Sequence, residues 1–343
     1  MSFTFMKDLP SPEDIKQIVP VSESVRKTKE NRDKMIRDVF TGESNKFLVI
    51  IGPCSADNEA AVLEYVTRLA KVQEKVPNLL LIPRIYTNKP RTTGMGYKGI
   101  IHQPDPEGKP DLAAGLIAMR QMHIHAIEQS GLTTADEMLY PSNWSYVSDF
   151  LSYVAIGARS VENQEHRLTV SGLDIPAGMK NPTSGDLSVM LNSVTAAQSG
   201  HTFIYRNAEY HTSGNPLAHT ILRGATNKHG NSIPNYHFED LELLLQMYEK
   251  TDLANKACII DTNHSNSGKK YEQQVRIARE ILQSRRYDPR IGRLVKGLMI
   301  ESYLEPGSQK IGAPNHVFGK SITDPCLGWD ESERLIYEIA ALV

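Results

Sequence analysis

From residue 47 onward, short apolar runs alternate regularly with longer amphipathic stretches, and this pattern constrains the fold more than any other feature of the sequence. Short apolar runs bounded by turn residues are typical of buried strands, whereas apolar residues recurring every three to four positions indicate helices. The strand-like runs span residues 47–52, 79–86, 132–139, 153–158, 175–180, 202–206, 219–224, 257–262 and 294–302. The clearest helical stretches span residues 60–76, 111–130, 238–250, 271–286 and 331–343. Such alternation predicts a parallel sheet covered by helices.

About eight strand–helix units in about 300 residues favour a closed (β/α)8 TIM barrel. The alternative is a doubly wound open sheet, which usually carries a Gly-rich phosphate turn such as GxGxxG near its start, and the sequence has none there. Nine strands are predicted, one more than the eight of a barrel. The segment 202–213 lies between a helix and the run 219–224 without a helix of its own, so we interpret it as a β-hairpin inserted before the sixth barrel strand.

Residues 1–46 are mostly polar and are predicted to form an N-terminal extension with a role in oligomer formation or regulation, followed by the catalytic barrel at 47–343. One helical stripe in the extension ends before Gly42, a typical stop signal. This stripe consists of Val25, Met35, Ile36, Val39 and Phe40.

The composition excludes several classes of protein. The net charge is -2, so no overall positive field favours binding to nucleic acid or to an acidic membrane surface. No apolar run approaches the roughly 18 residues of a membrane span, and the first residues lack the apolar stretch of a secretory signal. Three cysteines without a CxxC pair favour a reducing compartment, and we therefore expect a cytoplasmic protein.

Positively charged side chains stand just past many of the predicted strands, at the end of a barrel where active sites form. Arginine binds phosphate and carboxylate groups through paired hydrogen bonds, and lysine supplies a compact charge. The pattern therefore predicts a ligand with several negative groups, such as two phosphates or a phosphate and a carboxylate. The alternative for each cation taken singly is a surface residue paired with a helix carboxylate. The six cations are Arg84, Lys89, Arg91, Arg159, Lys180 and Arg223.

A second group of side chains has the chemistry of a metal site. Cys54, His264, Glu301 and Asp324 follow strands 1, 7 and 8, which are neighbours in a closed barrel. Their mixture of soft and hard donors suits a divalent transition metal (Mn²⁺, Fe²⁺, Co²⁺ or Zn²⁺) better than Mg²⁺ or Ca²⁺. Taken one at a time, a free cysteine is usually a small core residue and a lone histidine is usually structural.

Several motifs in this order resemble those of the type I 3-deoxy-D-arabino-heptulosonate 7-phosphate (DAHP) synthase family of the shikimate pathway. The resemblance extends from about residue 47 to the C-terminus and implies a (β/α)8 barrel with a hairpin before strand 6. The motifs are IGPCS, KPRTT, GARSVENQEHR, SGLDIPAGMKN, HTSGN, ILRG, IDTNHSNSGK, MIESYLEPG and GKSITDPCLGW.

The resemblance implies an aldol-like condensation of phosphoenolpyruvate with D-erythrose 4-phosphate. It implies catalytic roles for Cys54, Lys89 and His264, with Lys89 as the expected acid toward the new alkoxide. The implied metal ligands are Cys54, His264, Glu301 and Asp324. The implied phosphoenolpyruvate residues are Arg84, Arg159, Lys180 and Arg223, with Glu137 nearby. The implied erythrose 4-phosphate motif is Lys89, Pro90, Arg91 and Thr92.

The family resemblance also implies an aromatic amino acid effector and a homodimer or homotetramer. Asp174 and Tyr205 match two positions of the effector pocket where the family usually has serine, so ordinary phenylalanine control is not expected. Inhibition by tyrosine, by tryptophan or by neither stays open. The alternative functions are a 3-deoxy-D-manno-octulosonate 8-phosphate synthase, disfavoured by KPRTT, and a non-catalytic phosphosugar sensor.

Overall fold

The computed structural model describes residues 2–343. Its β-strands are β1 (Phe47–Gly52), β2 (Leu79–Pro83), β3 (Thr134–Glu137), β4 (Leu151–Ile156), β5 (Ala177–Lys180), β6 (Thr202–Tyr205), β7 (Ala208–His211), β8 (Ala218–Leu222), β9 (Ala225–Thr226), β10 (Ser232–Ile233), β11 (Cys258–Asp261), β12 (Val295–Glu301), β13 (Glu305–Ser308) and β14 (Lys320–Ser321). Its α-helices are α1 (Pro12–Ile18), α2 (Glu23–Thr41), α3 (Glu59–Gln73), α4 (Leu112–Ser130), α5 (Gln164–Val170), α6 (Leu187–Gln198), α7 (Phe238–Glu249), α8 (Gln273–Tyr287), α9 (Pro289–Leu294) and α10 (Trp329–Leu342). A 3-10 helix spans Pro141–Tyr146.

Eight parallel strands form the central sheet in the order β2-β1-β12-β11-β8-β5-β4-β3. The two ends of this sheet meet where Arg84, directly after β2, bridges Ala135 of β3. The backbone N–H of Ile85 donates to the carbonyl of Ala135 at 2.9 Å across the same seam. The sheet is therefore closed, and the predicted (β/α)8 barrel is confirmed.

The end of the barrel at which the strands begin is closed by α2, which belongs to the N-terminal extension. Ile36, Val39 and Phe40 of this helix pack with apolar side chains from the first residues of the barrel strands, including Leu48. The helix is followed by Gly42, whose φ of +84° is readily adopted by glycine because glycine has no Cβ. Most of the apolar stripe seen in the sequence therefore seals the barrel on the side opposite the strand carboxyl ends, whereas Val25 belongs to the larger apolar cluster outside the barrel strands' interior.

The inserted hairpin consists of β6 and β7, which pair antiparallel ahead of β8, the sixth barrel strand. Its turn places Arg206 and Asn207 at positive φ, as a two-residue hairpin turn requires. Arg206 forms an ion pair with Glu13 of α1 at 2.8 Å, so the hairpin contacts the N-terminal extension.

Among the described residues, no helix combines the length and apolar character that crossing a bilayer would require.

His219, inside the barrel, is fully buried and neutral. Its Nδ1 lies 2.9 Å from the carbonyl of Leu217 and its Nε2 lies 2.8 Å from the hydroxyl of Tyr153, so Nδ1 donates and Nε2 accepts. Burial lowers the pKa of His219 to about 4, although the contact with Leu217 opposes this shift. The unfolded chain has a histidine pKa near 6.5, so it binds the proton first as the pH falls.

We predict that this histidine makes the fold sensitive to acid. Its contribution to the free energy of unfolding is complete above pH 6.5 and falls by about 3 kcal/mol as the pH drops to 4. Urea unfolding of the wild type and of His219→Gln over this pH range measures the difference. The exposed His229→Gln is the control. Identical pH dependence in wild type and His219→Gln would contradict the prediction.

Candidate active site at the carboxyl end of the barrel

A cavity of about 310 Å³ opens at the carboxyl end of the barrel strands. All six cations predicted from the sequence line it, as do Pro90, Thr92 and Glu137. Lys269, which the sequence analysis did not select, is a seventh cation in the same wall. Because so many positive charges face one small space, the cavity is suited to a ligand with several negative groups.

Arg84 is buried at the base of this cavity. Its Nη2 donates to Glu301 Oε1 at 2.7 Å, and its guanidinium lies 3.8 Å from the centre of the Tyr86 ring. Burial alone would lower the pKa of Arg84, but the adjacent Glu301 carboxylate raises it above its usual value. Its Nε and Nη1 atoms are buried and have no hydrogen-bond partner among residues 2–343. Buried donors are normally satisfied, so these two N–H groups are suited to an anionic ligand.

Asp261, the last residue of β11, lies beside two residues that the sequence predicts for the site. Its Oδ2 lies 3.2 Å from Lys180 Nζ and 2.8 Å from His264 Nδ1. Burial alone would raise the pKa of Asp261, but His264 and Lys180 hold it well below its usual range. One carboxylate therefore lies in ionic contact with both a predicted substrate-binding cation and a predicted metal ligand. The signal in the sequence was an aspartate at the end of an apolar strand.

Three of the four predicted metal ligands lie close together. The donor atoms of Cys54, Glu301 and Asp324 are all within 4.8 Å of one another. His264 lies outside this tight group, with Nε2 3.9 Å from Glu301 Oε1. Because Nδ1 of the same ring faces Asp261, Nε2 is the nitrogen that points toward the cluster.

The ammonium group of Lys89 lies among these donors, 2.7 Å from Cys54 Sγ and 2.9 Å from Asp324 Oδ2. Burial raises the pKa of the Cys54 thiol to about 11, with a further contribution from Glu301 and opposition from Lys89. Burial alone would also raise the pKa of Asp324, but Lys89 holds it well below its usual range. A cysteine sulfur, two carboxylates and an imidazole form a set of donors that fits a divalent transition metal.

Glu301 is held by residues that the sequence analysis missed. Asn263 donates a hydrogen bond to its Oε2. Gln274 of α8 accepts from the Glu301 backbone N–H and donates to its carbonyl, both at 2.9 Å. These partners fix the backbone and the side chain of Glu301, and no spacing in the sequence indicates them.

The opposite wall of the cavity presents Arg159, Arg223 and Glu137. Burial lowers the pKa of Arg223, with Asp261 opposing the shift and Arg159 adding to it. Within the part of the chain that the structure describes, its buried Nη1 atom has no hydrogen-bond partner. Gly157 permits the close approach of Glu137, because a Cβ at this position would lie 2.4 Å from Glu137 Oε1. This wall therefore adds another unpaired guanidinium donor.

A second and larger cavity, of about 620 Å³, lies between the hairpin, α5 and the N-terminal extension. Asp174 and Tyr205, the two positions predicted from the sequence, both line it. The Tyr205 hydroxyl lies 2.8 Å from Ser145 Oγ, and its ring meets that of Tyr210 edge to face with centroids 5.5 Å apart. The cavity thus offers aromatic walls beside a carboxylate, with Arg37 nearby.

Comparison with known proteins gives one consistent result. The model of the DAHP synthetase I family matches residues 19–336. The Trp-sensitive phospho-2-dehydro-3-deoxyheptonate aldolase of Enterobacter agglomerans is 38% identical over 332 residues, which cover 94% of this chain and 92% of the relative. The protein of the same description from Escherichia coli K12 is 34% identical over 345 residues, covering 98% and 96%. The solved structure of phospho-2-dehydro-3-deoxyheptonate aldolase from Francisella tularensis SCHU S4 is 31% identical, with a TM-score of 0.92 and coverage of 100% and 98%.

We predict that Asp261→Asn destabilises the fold by about 3 kcal/mol, because it leaves the buried Lys180 without its counter-charge. Urea unfolding at neutral pH in the presence of a chelator measures this change. Glu23→Gln, which removes the exposed ion pair with Lys27, is the control and should cost less than about 1 kcal/mol. Equal effects of the two substitutions would show that Asp261 does not neutralise Lys180.

Proposed function

The chain belongs to the DAHP synthetase I family, and from this premise we propose that it condenses phosphoenolpyruvate with D-erythrose 4-phosphate to give DAHP and phosphate. Enzymes of this family are transferases, and the reaction is the first step of the shikimate pathway to the aromatic amino acids. The observation that best supports the proposal is the convergence of six predicted cations on one cavity beside the Cys54 cluster. Two phosphates and a carboxylate provide the negative charge that these cations require.

Each substrate is assigned a part of the cavity. Phosphoenolpyruvate is assigned to Arg84, Arg159, Lys180 and Arg223. Among the described residues, buried N–H groups of Arg84 and Arg223 lack hydrogen-bond partners. Erythrose 4-phosphate is assigned to the segment 89–92, which follows β2 and forms the adjacent wall. With this arrangement C3 of phosphoenolpyruvate attacks the aldehyde carbon, water adds at C2, and phosphate leaves with cleavage of its C–O bond.

The proposed metal ligands are Cys54, His264, Glu301 and Asp324, and a divalent transition metal bound there supplies Lewis acidity toward the sugar aldehyde. Lys89 is the proposed proton donor to the oxygen of the former aldehyde. Its ammonium group is within hydrogen-bond distance of two of these ligands, so its proton is held at the place where negative charge develops.

The alternative sugar is arabinose 5-phosphate, the substrate of 3-deoxy-D-manno-octulosonate 8-phosphate synthases. The KPRTT motif and the family match favour the four-carbon sugar. A non-catalytic phosphosugar sensor is disfavoured because a sensor has no need of a thiolate and carboxylates grouped within 4.8 Å.

We further propose a cytoplasmic homodimer or homotetramer. Three buried free cysteines are consistent with a reducing compartment. Apolar side chains of the extension and the hairpin support assembly through these segments, since Phe3, Met6 and Ile204 are 93%, 85% and 81% exposed.

Phosphate release from phosphoenolpyruvate tests the reaction. We expect release that requires erythrose 4-phosphate and Mn²⁺ and that stops with excess EDTA. Cys54→Ala should lose bound metal and at least 100-fold in kcat/KM, because it removes a metal ligand. Cys258→Ala, a buried cysteine in β11 away from the cavity, is the control.

Three outcomes would overturn parts of this proposal. Full activity and metal content in Cys54→Ala would refute the ligand assignment. Release with arabinose 5-phosphate alone would identify the sister reaction. No release with either sugar would favour the sensor.

We propose that the cavity of about 620 Å³ binds an aromatic amino acid effector, as the Trp-sensitive relatives suggest. Asp174 is suited to the ammonium group, Arg37 to the carboxylate and the rings of Tyr205 and Phe203 to the aromatic side chain. Phenylalanine, tyrosine and tryptophan are each added to the phosphate-release assay. We expect at least one to inhibit, and Asp174→Asn to raise its half-inhibiting concentration at least tenfold. Glu209→Gln, on the hairpin but outside the cavity, is the control, and an equal effect in both variants would contradict the assignment.

A further inference from the structure

The seam between β2 and β3 differs from a regular parallel pair. After Ile85 donates to the carbonyl of Ala135, the next N–H groups of a continuing ladder belong to Glu137 and Thr87. Neither bonds to the backbone of the opposite strand. Both donate to a single side-chain oxygen, Asp136 Oδ1, at 2.7 Å and 3.0 Å. The carboxylate therefore replaces the ladder at the point where the barrel closes.

The other oxygen of the same carboxylate is also engaged. Asp136 Oδ2 accepts a hydrogen bond from the hydroxyl of Thr87 and lies 3.5 Å from Nε2 of His123. His123 is fully buried in α4, and its Nδ1 lies 2.8 Å from the hydroxyl of Thr134. Asp136 and Thr87 are themselves 5% and 0% exposed. This buried polar group does not reach the cavity, so the mechanism proposed above leaves it without a role.

Thr87 is separated from Lys89 by one residue, so its position fixes where the substrate-binding segment 89–92 leaves the barrel. The other backbone hydrogen bonds of this short stretch go to loops: Ala56 N–H to the carbonyl of Tyr86 at 2.9 Å, Ile101 N–H to the carbonyl of Thr87 at 3.4 Å, and Lys89 N–H to the carbonyl of Lys98 at 3.0 Å. Asp136 is therefore the contact that joins the backbone of this stretch to a barrel strand beyond Ile85.

We infer that Asp136 is a positioning residue that, through Thr87, sets the place of the segment 89–92 and with it the binding of the aldose phosphate. A buried carboxylate that accepts several N–H and O–H groups holds them more firmly than a neutral acceptor does. The inference rests on the proposed function. Three phosphoenolpyruvate cations, Arg159, Lys180 and Arg223, belong to other strand ends. The fourth, Arg84, directly follows β2 ahead of the anchor and is held by its own ion pair with Glu301, so loosening the anchor should affect one substrate and not the other.

Thr87→Val tests the inference because it removes the hydroxyl at nearly constant size, and Thr87→Ser keeps it. We expect Thr87→Val to raise the KM for erythrose 4-phosphate about tenfold, consistent with the loss of one hydrogen bond to a charged group, and to leave the KM for phosphoenolpyruvate within twofold. Thr87→Ser should restore the wild-type value. Asp136→Asn should act in the same direction. The matched control is Asp240→Asn. It removes the charge of another carboxylate that accepts a backbone N–H, that of His237 at the start of α7.

Equal changes in both KM values, or no change in either, would overturn the inference. If Asp136→Asn does not fold, the comparison of Thr87→Val with Thr87→Ser decides the matter. Hydrogen exchange of the amides in 88–98 gives a readout independent of catalysis: it should be faster in Thr87→Val than in Thr87→Ser or the wild type. Inactive wild-type protein would contradict the proposed function alone, and unchanged exchange in Thr87→Val would contradict the anchor alone.

Discussion

The buried ion pair between Arg84 and Glu301 is the interaction on which the rest of the site depends. The two side chains are 2% and 1% exposed, and such a pair is stable only if its remaining donors and acceptors are also satisfied. Glu301 meets this condition because Asn263 donates a hydrogen bond to the second oxygen of its carboxylate. The guanidinium group of Arg84 is stabilised in addition by the face of the Tyr86 ring. The pair joins the strands on both sides of β1 and leaves two arginine N–H groups without partners at the base of the cavity.

The same principle organises the neighbouring charges. Asp261 balances Lys180 and faces His264, while Asp324 balances Lys89. Each of these carboxylates thus neutralises a cation at or beyond the end of another strand. Among the described residues, Arg159 and Arg223, two of the guanidinium groups for which a phosphorylated substrate is proposed, form no ion pair with a carboxylate. The barrel makes this possible because the carboxyl ends of eight strands converge on one small area.

The extent to which the site could be predicted differs among its residues. The cations and donors directly after strands were recognisable because strand ends meet at one face of a barrel. Gln274 and Asp136 gave no such signal, since they act through partners 27 and 49 residues away. Lys269 was missed because it lies beyond a strand end, in a loop whose direction depends on its backbone conformation, with φ at +62°.

The sequence by itself determined the closed barrel, the inserted hairpin and the cationic character of the cavity, because apolar periodicity and residue type are local properties of the chain. Tertiary structure alone decided which charges are paired and which are left for a ligand. That choice depends on distances between side chains far apart in sequence, as for Arg84 and Glu301, which are separated by 217 positions. Burial then makes each pairing decisive, because a charge removed from water is stable only beside a partner.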